Sequence, residues 1–304
     1  MNTEFENFRA GFVSVVGRPN AGKSTLTNAL VGSKVAITAD QPETTRRIIR
    51  GIVQLEQGQL IVVDTPGMHR PRTLLGERLN DMVRESLVDM DAIMVCLPAN
   101  EPIGPGDRFL LEKVKAAQTP VFAVVTKADL VDKAAMADKL IEISQLADIK
   151  FAEIVPVSAV RGEQIELLAE LVAKQMPVSP PLYPRDMATD QSEETMVAEL
   201  IREAALVGVR EELPHSIAVL VEEMAPRLRK DGSELIAIQA DVYVERPSQK
   251  GIIIGKKGAR LREVGTRARS SLEKMLGQQV YLDLHVRVAK EWQRDPKLLS
   301  RLGF

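Results

Sequence analysis

At 304 residues the chain is too long for one typical domain and comfortable for two. Apolar residues make up 45% and charged residues 27%, so sizeable cores can form. The formal net charge of -2 carries no bulk signal for nucleic-acid binding, so any such site must show up as a local concentration of charge.

In chain order, the first residues, Met1-Asn2-Thr3-Glu4-Phe5-Glu6, are polar and acidic and lack a signal-peptide pattern. Phe12 to Val16 is a short apolar strand ending at Gly17, and Gly22 to Leu30 reads as a helix. Gly51 to Leu55 and Leu60 to Val63 flank Gln57-Gly58, which predicts a hairpin. Thr73 to Val88 has helical spacing. Asp91 to Leu97 is a buried strand that carries the only cysteine, Cys96, so no disulfide framework forms within the chain. Phe109 to Ala116 is helical, Val121 to Val125 a strand, Ala134 to Leu146 a helix, Ile154 to Val157 a strand and Ile165 to Gln175 a helix. This alternation predicts an α/β domain, its sheet mostly parallel with one antiparallel strand.

Four prolines fall within residues 176–184, which neither a helix nor a central strand tolerates. The expected division is a first domain over 1–178, a proline-rich linker over 179–186 and a second domain over 187–304. In the second part Thr195 to Leu206 reads as a helix, Ser216 to Val221 and Leu235 to Val244 as strands, Gly258 to Leu276 as a helix and Tyr281 to Val288 as a half-buried strand. That order predicts an α+β domain with antiparallel neighbours. His69, His215 and His285 are too scattered for a metal cluster, and no apolar run approaches the ~18 residues of a membrane span. The cytoplasm is the expected compartment, and peripheral contact with the inner face of the cell membrane stays open.

Gly17-Arg18-Pro19-Asn20-Ala21-Gly22-Lys23-Ser24, followed by Thr25, matches the phosphate-binding loop and sits where it must, after a strand and opening a helix. Glycines let the backbone wrap phosphates, Lys23 reaches the β and γ groups, and Ser24 is placed to ligate Mg²⁺. Asp64-Thr65-Pro66-Gly67 follows a strand, so Asp64 suits a Mg²⁺ contact and the Gly67 amide can approach the γ phosphate. Within Gln41-Pro42-Glu43-Thr44-Thr45-Arg46 a threonine can join the metal only while the γ phosphate is present. Both Thr44 and Thr45 are candidates, with Thr45 preferred. Lys23, Gly67 and Thr45 are therefore the candidate catalytic set, and Ser24, Thr45 and Asp64 the candidate metal set.

Thr126-Lys127-Ala128-Asp129 ends another strand. A carboxylate at Asp129 can accept from guanine N1-H and N2, donors that adenine lacks there. The Lys127 stem can cover the base plane. Thr126-Lys127-Ala128-Asp129 resembles the Asn/Thr-Lys-x-Asp motif of GTPases, with the less common Thr in first place. Ser158-Ala159 follows the last strand and resembles the fifth GTPase motif, which implies that the Ala159 amide meets guanine O6. Met68 stands where Ras-like proteins carry a water-orienting glutamine, so slow intrinsic hydrolysis is expected. His69 is read as a surface loop residue.

Between Arg246 and Lys274 nine basic residues face only Glu263 and Glu273. At the centre lies Gly251-Ile252-Ile253-Ile254-Gly255-Lys256-Lys257-Gly258, an apolar run and then Gly-Lys-Lys-Gly before a helix, with Arg260 just beyond. Loop, flanking apolar strands and helix resemble the GXXG loop of a type II KH domain. Glycines admit the sugar-phosphate backbone and lysines neutralise it.

Both halves together, about residues 10 to 304, resemble the Era family of GTPases. Val264-Gly265-Thr266-Arg267-Ala268-Arg269 and Val286-Arg287-Val288-Ala289-Lys290-Glu291-Trp292 match the family's C-terminal pattern. The resemblance implies GTP and GDP with Mg²⁺ as cofactors, and K⁺ as an activator through Asn20. It implies 16S ribosomal RNA near its 3′ end as partner, the 30S subunit or its precursor as the setting, and no DNA. Two other readings stand beside a GTP-driven switch: a binding module with negligible turnover, and an ATPase acting on RNA.

Overall fold

The computed structural model describes residues 7–39, 44–67, 73–85, 87–115, 118–146, 149–209, 213–229 and 231–304. Met68, His69 and 41–43 lie outside them. The chain divides into two units: most of the first runs to Asp190, and the second is made mainly of Gln191–Phe304, with Thr73–Leu75 grouped with it.

The first unit alternates as expected: β1 (Arg9–Val16), α1 (Lys23–Val31), β2 (Ile49–Leu55), β3 (Gly58–Asp64), α2 (Leu74–Glu85), β4 (Ala92–Pro98), α3 (Pro105–Lys115), β5 (Val121–Thr126), α4 (Lys133–Ser144), β6 (Glu153–Pro156) and α5 (Ile165–Ala173). The six strands lie in the order β2-β3-β1-β4-β5-β6. Only β2 runs antiparallel, because the tight turn at Gln57 joins it directly to β3, whereas the other strands are linked by helical crossovers. Continuous Val/Ile/Leu runs on β3, β4 and β5 follow from burial on both faces. One core, with Val13, Val15, Leu26, Val62 and Leu168, packs α1 and α5; the other, with Val16, Ile93, Leu110 and Ile143, packs α3 and α4.

The proline-rich stretch is held against this unit. Gln59, fully buried on β3, accepts from the Leu182 and Tyr183 amides at 2.8 and 2.9 Å and donates to Tyr183 O at 2.9 Å. Further on the segment lines the free edge of β2: Ile52 N donates to Ala188 O at 2.8 Å, the Thr189 hydroxyl to Arg50 O at 2.7 Å, and Arg50 pairs with Asp190 at 3.1 Å. An exposed strand edge is an aggregation hazard, and this segment covers it. The attachment explains why the first unit reaches Asp190.

The second unit comprises α6 (Glu193–Leu206), α7 (Leu213–Ser216), β7 (Ala218–Leu228), β8 (Glu234–Val244), α8 (Pro247–Ile254), α9 (Ala259–Leu276), β9 (Val280–Val288) and α10 (Pro296–Arg301). Three differences from the sequence expectations have physical causes. Strand β7 runs on to Leu228 through a register shift between Val221 and Glu223; charged Glu222 and Glu223 and then Pro226 mask its alternation, and Pro226 is tolerated because β7 is an edge strand. The apolar run Gly251–Ile254, which periodicity leaves without an element, is helical: Pro247 opens α8 and Gln249 caps the chain by accepting from the Glu245 and Arg246 amides, and this outweighs the β preference of three isoleucines. Strand β9 pairs parallel to β8 while β7 pairs antiparallel, because α8 and α9 form a crossover long enough to return the chain in the same direction. Trp292, fully buried, closes the unit by donating to Ser216 O at 2.9 Å and stacking on Phe304.

Gln59→Leu leaves two amides and a carbonyl of 182–183 unanswered. The expected outcome is a loss of about 1–3 kcal/mol, with faster hydrogen exchange at Leu182 and Tyr183 while β3 amides stay protected. Unchanged exchange there would show that the segment is held by other contacts.

Candidate functional site

The two candidate sites form at loops that precede helices. In the first unit, β1, β3 and β5 end on one edge of the sheet, and 17–24, 64–67 and 126–129 leave from those ends. Register sets the arrangement: Val15 lies opposite Asp64, and the Thr65 hydroxyl donates to Val15 O at 2.9 Å. Gly67 is pressed against Pro19, where a Cβ would meet the Pro19 backbone nitrogen at 2.9 Å; only glycine permits this approach.

Three oxygen donors converge. The Ser24 hydroxyl donates to Asp64 Oδ2 at 2.7 Å and lies 2.8 Å from the Thr45 hydroxyl, which is itself 3.4 Å from Asp64 Oδ2. Asp64 is fully buried and its Oδ1 has no hydrogen-bond partner among the described residues. A buried carboxylate oxygen without a partner, beside two hydroxyls, suits a small hard cation such as Mg²⁺. Burial pushes the Asp64 carboxyl up to about 6, although Lys23 and the Ser24 and Thr45 hydroxyls pull it down. The geometry also separates the two threonine candidates: Thr45 is buried and faces Ser24 and Asp64, while Thr44 is half-exposed.

Lys23 is buried and donates to the Gly17 and Arg18 carbonyls at 3.0 Å each. Desolvation lowers its pKa, and the Asp64 charge opposes that. Cys96, beneath the loop, has its thiol pushed by burial up to about 12, so it is inert packing.

On the base side, Ser158 Oγ donates to Asp129 Oδ1 at 2.7 Å and fixes the carboxylate that would read the base. The Ala128 amide donates to Val157 O, bringing the loops at 126–129 and 158–159 together. Thr126 gives its single O–H to Ala21 O at 2.7 Å, tying the base loop directly to the phosphate loop. That link needs one donor only, so threonine serves in place of the commoner asparagine. Arg18 pairs with Glu101 at 2.6 Å and Asp107 at 3.3 Å, two carboxylates that no motif flags.

In the second unit, Gly255-Lys256-Lys257-Gly258 joins α8 to α9 with both lysines exposed. Gly255 adopts φ 72°, and a Cβ there would meet Arg260 Cβ at 2.7 Å, so the turn requires glycine. Arg260 donates to Val207 O at 2.8 Å and thereby anchors the start of α9 to the end of α6. One nitrogen of its guanidinium is thus engaged within the unit. Ile253 is buried, and Ile252 is 51% exposed beside the loop.

A family model described as 50S ribosome-binding GTPase matches residues 12–127, and a KH domain model matches residues 212–293. Fold, motif loops and these matches define a P-loop GTPase joined to a KH domain. GTPase Era of Streptomyces coelicolor is 61% identical over 97% of this chain and 95% of its own length. GTPase Era of Mycolicibacterium paratuberculosis is 59% identical over 98% and 99%. An Aquifex aeolicus Era variant bound to GDP·AlF4⁻ matches with a TM-score of 0.92 at 36% identity, over 97% of this chain and 99% of that one. A structure of Era with MgGDPNP and nucleotides 1506–1542 of 16S ribosomal RNA gives a TM-score of 0.91 at the same identity and coverage. The chain belongs to the Era family of GTPases.

Thr45→Ala should weaken Mg²⁺-dependent GTP turnover by about 10- to 100-fold, and Thr44→Ala should change it by much less. Turnover against Mg²⁺ concentration for both variants checks this; a larger effect at Thr44 would reverse the assignment.

Proposed function

We propose that this chain is a GTP-operated switch that binds 16S ribosomal RNA near its 3′ end and assists assembly and maturation of the 30S subunit. The observation that carries the RNA half is the glycine-cornered turn Gly255-Lys256-Lys257-Gly258, which presents two exposed lysines at the start of α9. The related Era structure bound to nucleotides 1506–1542 of 16S ribosomal RNA supports the choice of target. Gly251, Ile252 and Ile254 lie on α8 beside the turn, where bases would pack, and Lys256 and Lys257 would meet phosphates.

In the nucleotide half, residues 17–24 wrap the phosphates and Lys23 answers the charge on the β and γ groups. Gly67 brings its backbone to the γ phosphate, and Asp129 and Ala159 read guanine. Mg²⁺ held by Ser24 and Thr45, with Asp64 behind them, would neutralise charge that develops on the transferring phosphoryl group. Thr45 stands in the segment that leads into β2, so loss of the γ phosphate releases that segment from Ser24 and Asp64. Asn20, at φ 61° in the phosphate loop, is the residue through which K⁺ would stimulate hydrolysis. We place the protein in the cytoplasm, with peripheral contact at the inner membrane face a further proposal; among the described residues no helix is long and apolar enough to cross a membrane.

Lys256→Ala with Lys257→Ala should weaken RNA binding and make its log-log salt dependence shallower by roughly 0.7 for each RNA phosphate that is no longer neutralised. GTP turnover without RNA should stay close to that of the parent protein. RNA affinity measured across a salt series checks this, and an unchanged slope would reduce the turn to a simple connection.

A further inference from the structure

Strand β4 lies between β1 and β5, the strands that carry the phosphate loop and the base loop. The segment leaving β4 therefore passes between those two loops, and it carries Glu101. One Glu101 carboxylate oxygen accepts from Arg18 of the phosphate loop at 2.6 Å. The other accepts from the Lys127 ammonium of the base loop at 3.3 Å.

Isolated ion pairs at a surface contribute little, because two long side chains must be ordered to form them. Glu101 differs from such a pair in being fixed from several sides. Its own carbonyl accepts from Lys139 Nζ at 2.9 Å, and Lys139 is almost wholly buried on α4. Two residues earlier, the Ala99 amide donates to Thr126 O at 2.8 Å. Arg18 is held from its other side by Asp107, which is 2% exposed and also caps the Gly104 amide at 2.9 Å. Partial burial pushes the Glu101 carboxyl up, but Arg18 and Lys127 outweigh it, so its pKa lies below the ordinary value.

We propose that Glu101 is a positioning residue for guanine nucleotides: held by Arg18 and the anchored backbone, it fixes the Lys127 ammonium so that the Lys127 stem is already laid out where the base must stack. This rests on the GTPase reading of the same site. The physical gain is preorganisation. A lysine has four rotatable bonds, and ordering it only when ligand arrives takes free energy from binding. Lys127 also adopts φ 59°, so its backbone is committed to one direction, and Glu101 commits the other end of the side chain. Among the described residues Glu101 makes no hydrogen bond to Ser24, Thr45, Asp64 or Lys23, and it reaches the phosphate loop only through the Arg18 side chain, so its larger effect falls on binding and release of the nucleotide.

The test uses the full chain and fluorescent GDP, with GTP turnover measured alongside. Glu101→Ala should speed GDP release about tenfold and raise the KM for GTP by a similar factor, with kcat within about twofold. Glu101→Gln, which keeps the shape and one acceptor for Lys127, should recover about half of that effect on a logarithmic scale. On a Lys127→Met background, Glu101→Ala should add less than about twofold, because its partner is gone. Release unchanged by Glu101→Ala in a protein that binds GDP normally would overturn the inference alone. So would an undiminished tenfold effect on the Lys127→Met background, which would mark a general loosening of the site. Failure of the parent protein to bind GDP would instead overturn the nucleotide reading beneath it.

Discussion

The nucleotide half of the structure depends on one buried carboxylate. Asp64 ends β3 in register with Val15 of β1, and its side chain reaches the first turn of α1 at Ser24 and the segment before β2 at Thr45. In this arrangement its negative charge is expensive: burial raises its pKa to about 6, and one oxygen has no hydrogen-bond partner among the described residues. A cation held by Ser24 and Thr45 would relieve that cost, so these residues fit a small hard cation. Thr45 belongs to the same cluster, so the segment that carries it is coupled to whatever occupies the site.

The two units solve the same problem with similar means. Each places a glycine at positive φ directly before a helix, Gly22 before α1 and Gly258 before α9, and sets lysine beside it. Backbone amides at a helix start favour anions, and lysine adds a point charge. They differ in burial. Lys23 is 6% exposed and wrapped by carbonyls of its own loop, suited to a small ligand enclosed on all sides. Lys256 and Lys257 are exposed, suited to a polymer lying across the surface.

Much of this was legible in the sequence because the motifs bind their ligand by backbone and by short spacing. The strand–Gly-x-x-x-x-Gly-Lys-Ser–helix order, Asp64 at a strand end and Asp129 beyond β5 are local patterns, and the alternation of buried runs pointed to the parallel sheet. Contacts made across the fold left no such trace. Ser158 bonding Asp129, Thr126 bonding Ala21 and Glu101 joining Arg18 to Lys127 each link residues about 26 to 105 positions apart, brought together by strand order. The isoleucine run of α8 gave no helical signal because its helix is imposed by Pro247 and Gln249 at its start, against local β preference. Prolines at 177–184 correctly ruled out regular structure, yet they concealed that Gln59 and the edge of β2 would hold the segment in place.

The most direct test of this account is hydrogen exchange at residues 44–48 with Mg²⁺ and either GDP or a non-hydrolysable GTP analogue. If Asp64, Ser24 and Thr45 form a γ-phosphate-dependent cluster, these amides are protected with the analogue and exchange markedly faster with GDP. Equal protection in both states would contradict it, and would mean that Thr45 is held by the fold regardless of which nucleotide is bound.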